Sequence, residues 1–149
     1  MKTQQEFLNQ RLAEHFTLRE MIQSGTARRL GIDNIPDEQA VAHLRQLCQE
    51  VLEPLRRQFG MIRISSGYRC RELNDAVGGA ANSQHLRGQA ADIHCGSLSE
   101  ARRKYDYIRR NLPFDQLLLE QRLINGCCWL HVSYVSQQLN RHTARFLSV

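Results

Sequence analysis

The hydrophobic positions in the first sixty residues follow a helical spacing. Apolar side chains recur every three or four residues at Val41, Leu44, Cys48, Val51, Leu55 and Phe59. This stripe predicts one long amphipathic helix. Pro36, Asp37 and Glu38 suit its first turn, Pro54 should bend it, and Gly60 can end it.

Two capping boxes predict two further helices. Thr17 to Glu20 matches the first and opens a short helix through Gln23, after which the residues around Gly25 are interpreted as a loop. Ser97 to Glu100 matches the second and opens an amphipathic helix that Pro113 stops. Residues 70–77 fit a short helix closed by two glycines.

The remaining hydrophobic patterns predict strands. Residues 61–65 alternate in polarity, residues 90–94 are interpreted as a short strand with little pattern of their own, and residues 78–89 between them have a loop composition. Residues 114–123 and 127–135 flank Asn125-Gly126, the strongest signal for a two-residue hairpin turn. That turn would place Glu120 directly opposite His131 on one face of the sheet. The pair is equally consistent with a solvated cross-strand contact, and a longer loop would shift the register.

The order of these elements favours an α+β fold. Helices come first, and strands with one intervening helix follow, which is typical of a small antiparallel sheet with helices on one face. The length of 149 residues predicts a single domain over residues 1–149.

Composition narrows the classes of function. The chain is 42% hydrophobic and 23% charged, which excludes a disordered protein. Its net charge of +5 is explained most simply by solubility. The sequence has no Lys/Arg cluster interleaved with aromatic residues, so a nucleic-acid partner is not predicted. The sequence contains no run of 18 apolar residues, so membrane insertion is not predicted. The polar N-terminus favours cytoplasmic synthesis without a signal peptide. The oligomeric state is left open.

The cysteines do not predict a disulfide framework. The five cysteines, an odd number, are Cys48, Cys70, Cys95, Cys127 and Cys128. Reduced thiols in a cytoplasmic chain fit this number best. No C-x-x-C motif is present, which excludes a structural zinc ribbon.

Among the histidines, His85 stands in the context most suggestive of a metal ligand. It lies on the loop before Gly88, and Asp92 lies on the strand that follows, so a turn at Gly88 could bring the two side chains together. A His and an Asp can serve as ligands of a catalytic zinc, but loop carboxylates are also commonly solvated. The other histidines His15, His43 and His142 are interpreted as surface or packing residues without partners.

Three motifs in order resemble one family. They are Ile64–Arg69, the Ser-x-His-x-x-Gly-x-Ala-x-Asp pattern of Ser83–Asp92, and Trp129–Tyr134. Over about residues 16–136 the chain resembles the zinc D-Ala-D-Ala carboxypeptidases, and is most similar to small single-domain members from bacterial and prophage genomes. The resemblance implies a small antiparallel sheet with flanking helices, shared with the hedgehog N-terminal domain. It also implies a zinc metallopeptidase acting on peptidoglycan stem peptides, either as a carboxypeptidase or as an endolysin-type endopeptidase.

The resemblance assigns roles to particular residues. It implies one Zn²⁺ per chain, held by His85, Asp92 and His131. Arg69 matches the family arginine that binds the substrate carbonyl or carboxylate, and Ser83 matches a serine that helps to hold the substrate. Because no signal peptide is predicted for this sequence, we expect either cytoplasmic synthesis with release to the cell wall by a holin-type route, or a role in the cytoplasm.

One departure from the family pattern concerns the catalytic base. Many members have a glutamate three residues before the last histidine ligand, where this chain has Cys128. A thiol is a poor base and could compete for zinc. The predicted hairpin register offers Glu120 as the base. The alternative is a catalytically impaired zinc-binding module that binds the cell wall.

Overall fold

The computed structural model describes residues 2–149, and within them it contains seven α-helices and seven strands. The helices are α1 (Gln4–Asn9), α2 (Leu18–Ile22), α3 (Gly25–Leu30), α4 (Glu38–Leu47), α5 (Glu53–Phe59), α6 (Arg71–Ala76) and α7 (Leu98–Asn111). The strands are β1 (Arg11–Ala13), β2 (Phe16–Thr17), β3 (Arg63–Ser66), β4 (Ala90–Cys95), β5 (Gln116–Gln121), β6 (Cys128–Ser133) and β7 (Thr143–Ser148).

A five-stranded sheet with the order β3-β4-β6-β5-β7 forms the centre of the fold. The first three neighbouring pairs in this order are antiparallel, whereas β7 runs parallel to β5. β1 and β2 make a separate small hairpin. The predicted α+β class, with a small sheet and flanking helices, is confirmed.

The two faces of the large sheet have different surroundings. Side chains of one face, among them Ile64, Ile93 and Leu130, are buried in the hydrophobic core. Leu44 and Ile108 belong to the same core and bring α4 and α7 against this face. Because strand residues alternate, the other face carries the polar side chains of the central strands. The predicted site residues of the central strands, Asp92, Glu120 and His131, therefore lie on the face that the helices leave open.

The predicted long helix forms, with one irregularity. Asp37 caps α4 by accepting a hydrogen bond of 2.8 Å from the backbone N–H of Ala40. A π-helical turn at Cys48–Leu52 then joins α4 to α5. Pro54 stands two residues after this turn and has no N–H to donate to it, which explains the wider turn at this point. Gly60 ends α5 in a conformation with a φ of 81°.

Both predicted helix starts and their N-caps are confirmed, although at α7 the carboxylate of Glu100 accepts from the N–H of Gly96 rather than from that of Ser97. The hydroxyl of Thr17 accepts from the N–H of Glu20 at the start of α2. The hydroxyl of Ser97 accepts from the N–H of Glu100 at the start of α7.

The predicted loop around Gly25 is wrong, because it forms α3. Ser24 caps this helix with its hydroxyl, and Gly31 ends it in the left-handed region at a φ of 69°. With six residues, α3 is too short to show a hydrophobic period. The first third also contains β1 and β2. With three and two residues, these strands are too short to show an alternating pattern of hydrophobic and polar side chains.

The predicted register of the β5–β6 hairpin is wrong by two residues. Leu118 is opposite His131, and Glu120 is opposite Trp129. The loop has four residues, 123–126, since the N–H of Arg122 bonds to the carbonyl of Cys127. A two-residue type I′ turn needs positive φ at both central positions, and only Gly126 has it, at 72°. The side chain of Asn125 accepts from the N–H of Cys127 instead.

None of the helices within residues 2–149 is both long and apolar enough to cross a membrane. The five cysteines are free thiols, and no disulfide joins any two of them in this part of the chain.

Candidate metal centre

His85 is fixed by a short 3₁₀ turn over Gln84–Arg87. Ser83 caps this turn, since its Oγ accepts from the N–H of His85 at 3.2 Å. Gly88 ends it at a φ of 74°, and a Cβ at Gly88 would overlap the carbonyl oxygen of Ala40. A glycine is therefore required for the turn that directs His85 toward β4.

The imidazole of His85 offers one nitrogen to a ligand. Its Nδ1 lies 2.6 Å from the carbonyl oxygen of Gly67, to which it donates. Its Nε2 is buried, makes no hydrogen bond and lies 3.4 Å from Oδ2 of Asp92. A buried nitrogen without a partner is costly, and a metal ion would satisfy its lone pair.

Asp92 and His131 are brought together by strand pairing. They are directly opposite each other on β4 and β6, and Nδ1 of His131 lies 3.0 Å from Oδ1 of Asp92. Burial raises the pKa of Asp92, but hydrogen bonding and attraction from His131 and His85 outweigh it and hold the pKa well below its usual range. Asp92 is therefore an ionised carboxylate at neutral pH.

The three residues together form a possible metal site. Ligand atoms of His85, Asp92 and His131 lie within 4.8 Å of one another. Two imidazoles and one carboxylate are a donor set that zinc accepts, with its fourth position open to water. The structure thus brings together all three ligands that the resemblance implies.

Arg69 borders this group and is held in place on two sides. Its Nε donates to the hydroxyl of Ser66 at 3.1 Å, and its Nη1 donates to Oδ1 of Asn74 at 3.0 Å. Its Nη2 lies 3.7 Å from Oδ2 of Asp92. Burial lowers the pKa of Arg69, which the charge of Asp92 partly offsets. The arginine is oriented while part of its guanidinium group remains free for a ligand.

Glu120 reaches the same face of the sheet despite the error in register. A shift of two residues preserves the face, so Glu120 is a diagonal neighbour of His131 rather than its direct partner. Trp129 donates from Nε1 to Oε2 of Glu120 at 2.8 Å. Burial, and secondarily the charge of Asp92, raises the pKa of Glu120. Diagonal neighbours are about 7–8 Å apart, which leaves room for a water molecule between them.

Cys128 cannot compete for a metal bound at this site. Its side chain belongs to the hydrophobic core, and it is opposite Cys95 in the sheet. Strand alternation therefore directs its thiol away from His131, and burial raises the pKa of Cys128. The residue three positions before His131 therefore faces the hydrophobic core in this chain.

These residues line a cleft of about 1100 Å³ on the open face of the sheet, which we call the catalytic cleft. Ser83, Arg69 and Glu120 all border it. Arg87, Arg122 and Arg141 add positive charge at its margin. A cleft with several arginines and few acids suits a substrate that carries carboxylates.

Two supporting groups gave no signal in the sequence. Asn74 is fully buried, and besides accepting from Arg69 it donates to the carbonyl of Ala80 at 2.9 Å. Asp115 is buried and accepts from the guanidinium of Arg141 at 2.7 Å and from Nε2 of Gln84 at 2.9 Å. Asp115 thereby ties the C-terminal segment to the turn that carries His85.

His15, His43 and His142 are surface or packing residues, as predicted, but the prediction that they have no partners is wrong. His15 lies 2.6 Å from Oε2 of the buried Glu53, and Arg57 lies 3.8 Å from the same oxygen. His43 contacts the carbonyl of Arg87. The ring of His142 stacks on Phe114 with centroids 4.0 Å apart. The charge of Glu53 is already compensated by protein groups, so this cluster does not need a metal.

Comparison with known proteins gives one family. The sequence model described as Peptidase M15 matches residues 14–127, about three quarters of the chain. The matched region includes Arg69, Ser83, His85 and Asp92 and ends four residues before His131. No curated protein matches the chain in sequence.

Proposed function

The chain belongs to the peptidase M15 family, and we propose that it is a zinc-dependent metallopeptidase that hydrolyses peptide bonds in peptidoglycan stem peptides. The observation that carries this proposal is the buried, unpartnered Nε2 of His85, directed at Asp92 beside His131. Zinc would be held by these three residues and would polarise the substrate carbonyl and acidify a water molecule.

Glu120 is the proposed general base. Its carboxylate lies on the same face as Asp92 and His131, and Trp129 fixes one of its oxygens. The other oxygen is free to accept a proton from the attacking water and to return it to the leaving amine.

Arg69 and Ser83 are proposed to position the substrate. Ser66 and Asn74 hold the guanidinium of Arg69 beside Asp92, where it can donate to the reacting carbonyl oxygen as negative charge develops. Ser83 uses its Oγ as an acceptor from His85, so its hydroxyl hydrogen remains available to the substrate.

The test is zinc content and hydrolysis measured on the same purified protein. We expect one zinc per chain and release of product from a stem peptide. Analysis of the products by mass spectrometry separates removal of a terminal D-Ala from internal cleavage. His131→Ala should bind less zinc, whereas the matched variant His43→Ala should bind as much as wild type. Absence of zinc even after its addition would contradict the ligand assignment.

A second candidate function is a zinc-binding module of the cell wall without turnover. The core position of Cys128 favours it, since the usual base is missing there. Hydrolysis by the wild-type protein distinguishes the two functions, and Glu120→Gln then tests the base: kcat should fall by about a hundredfold or more with zinc retained. The same amide change at the exposed Glu72, outside the cleft, should leave kcat unchanged. Equal hydrolysis by Glu120→Gln and wild type would exclude Glu120 as the base.

A further inference from the structure

A second groove of about 730 Å³ lies beside β3 and adjoins the catalytic cleft. The two depressions share Ser24, Gly25, Ser65 and His94 in their linings. β3 forms one wall of this groove, which we call the β3 groove, and the segment joining α2 to α3 forms the other. A molecule that occupies the catalytic cleft can therefore extend into the β3 groove without crossing a barrier.

β3 is an edge strand that points toward the metal centre. Its only neighbour in the sheet is β4, and apart from the bonds to β4 the backbone of residues 62–66 makes no hydrogen bond to another element within residues 2–149. Along β3, Arg63 is opposite His94, and Ser66 is opposite Asp92. A bulge between Ile64 and Ser66 sets three residue steps of β3 against two of β4, so Arg63 lies about 7–10 Å from Ser66 along the strand. An unpaired strand edge can pair with an extended peptide.

The charges of the β3 groove are unbalanced. Arg28, Arg56 and Arg63 line it, and none of them has a carboxylate within 4.0 Å or a side-chain hydrogen bond among the described residues. Glu20 is the acid of the lining that faces them, and its charge attracts Arg56. By contrast, Arg57, whose side chain is directed elsewhere, lies near two glutamates.

We propose that the β3 groove binds the part of an extended peptide substrate beyond the scissile bond, with its main chain along β3 and a carboxylate on the free arginines. This inference rests on the proposed peptidase function. The carboxylate would lie about three residues from the reacting bond, the separation of Arg63 from Ser66 along the strand. An extended acidic peptide is then a better ligand than a neutral peptide of the same length.

The experiment compares two fluorescent hexapeptides that differ only in Glu or Gln three residues from the cleavable bond. Binding is measured by fluorescence anisotropy with the full chain in the presence of a chelator, so that no peptide is cleaved. We expect the Glu peptide to bind about tenfold more tightly. Because the groove is open to solvent, this preference should shrink as salt is raised.

Charge reversal tests the residues themselves. Arg63→Glu should abolish the preference for Glu over Gln and should bind the corresponding Lys peptide more tightly than wild type does. Arg110→Glu, on exposed α7 away from both depressions, serves as the matched control and should keep the preference. If Arg63→Glu does not fold, Arg28→Glu on the exposed surface of α3 replaces it.

The outcomes separate this inference from the proposed function. Equal binding of the Glu and Gln peptides by wild type, or an unchanged preference in the charge-reversal variant, would overturn the β3 groove as a peptide site. Tighter binding of a short oligonucleotide of equal charge than of the Glu peptide would do the same. Hydrolysis of a stem peptide by the zinc-loaded protein is measured independently, so failure of the β3 groove as a peptide site is distinguishable from failure of the peptidase function.

Discussion

At Gly67 the chain has no space for a side chain. A Cβ there would overlap the carbonyl oxygen of Met21, which accepts a hydrogen bond of 2.8 Å from the N–H of Tyr68. The carbonyl of Gly67 also fixes Nδ1 of His85. One glycine therefore joins the end of β3 to the last turn of α2 and orients a proposed metal ligand.

Replacing Gly67 with alanine should destabilise the protein and weaken metal binding together. Backbone must move against backbone, at a cost of about 3 kcal/mol. For a chain of this size that lowers Tm by about 10 °C. Thermal unfolding followed by circular dichroism measures the first effect, and zinc titration measures the second. Gly25→Ala is the control, because nothing lies within 4 Å of its Cβ, and its Tm should stay at or above that of wild type. Equal melting of the two variants would refute the close approach at Gly67.

Which individual residues could be predicted depends on whether they belong to a recognisable motif. His85, Asp92, His131 and Arg69 belong to short motifs whose spacing is visible in the sequence. Asn74 contacts Arg69 and Ala80, which are only five and six residues away, but it stands outside these motifs and gives no signal of its own. A buried amide that orients a functional arginine looks the same in a sequence as an amide on a helix surface.

At the scale of elements, the β5–β6 hairpin shows what survives an error in register. Asn125-Gly126 predicted a two-residue turn, but Asn125 does not adopt positive φ, and the loop takes four residues. The shift by two residues changed every facing pair but left each side chain on its predicted face. Glu120 was therefore correctly predicted on the face of His131, although its direct partner was not.

Short elements and the C-terminal segment could not be predicted in the same way. β7 pairs parallel to β5, a contact that depends on the complete sheet rather than on a pattern in residues 143–148. The segment before it is fixed by Arg141, which donates to Asp115 from both its backbone and its side chain. Ion pairs between segments that are distant in the sequence produce no periodic pattern in it, so they could not be predicted.

The contact between Asp115 and Arg141 should make the free energy of unfolding depend on pH in the acidic range. Hydrogen bonding to Arg141 lowers the pKa of Asp115 to about 2 from an ordinary value of 3.8. Because the folded pKa is the lower one, the stabilisation is complete above about pH 4 and is lost as pH falls through about 2. Asp115→Asn should cost about 2 kcal/mol at pH 7, and the difference from wild type should shrink between pH 4 and pH 2.

Urea unfolding at pH 7, 5, 3 and 2 measures this difference. Asp33→Asn, an exposed position without an ion pair among the described residues, is the matched control and should unfold as wild type does at each pH. A difference between Asp115→Asn and wild type that stays constant down to pH 2 would show that the charge of Asp115 does not stabilise the fold.

At the scale of the whole molecule, one face of the large sheet forms the hydrophobic core and the other face carries the proposed site residues. Its inner face and the helices form one hydrophobic core that extends from Leu12 to Tyr134. Its open face carries Asp92, Glu120 and His131 on three adjacent strands. The fold class could be predicted because the hydrophobic periodicity of each segment marks the side chains that face the core. The β3 groove could not be predicted in this way, because it depends on how α2 and α3 lie beside the edge of the sheet.

This division predicts that metal binding stabilises the entire fold. The proposed ligands come from the turn after α6, from β4 and from β6, segments that are adjacent only when the chain is folded. A metal that binds only the folded state at a hundred times its Kd adds about 2.7 kcal/mol. The Tm should therefore rise by about 5–10 °C on addition of zinc to chelator-treated protein. His131→Ala should lose this rise, whereas His43→Ala should keep it. A rise of the same size in His131→Ala would place the zinc elsewhere, because removal of one ligand of three cannot leave the linkage between binding and folding intact.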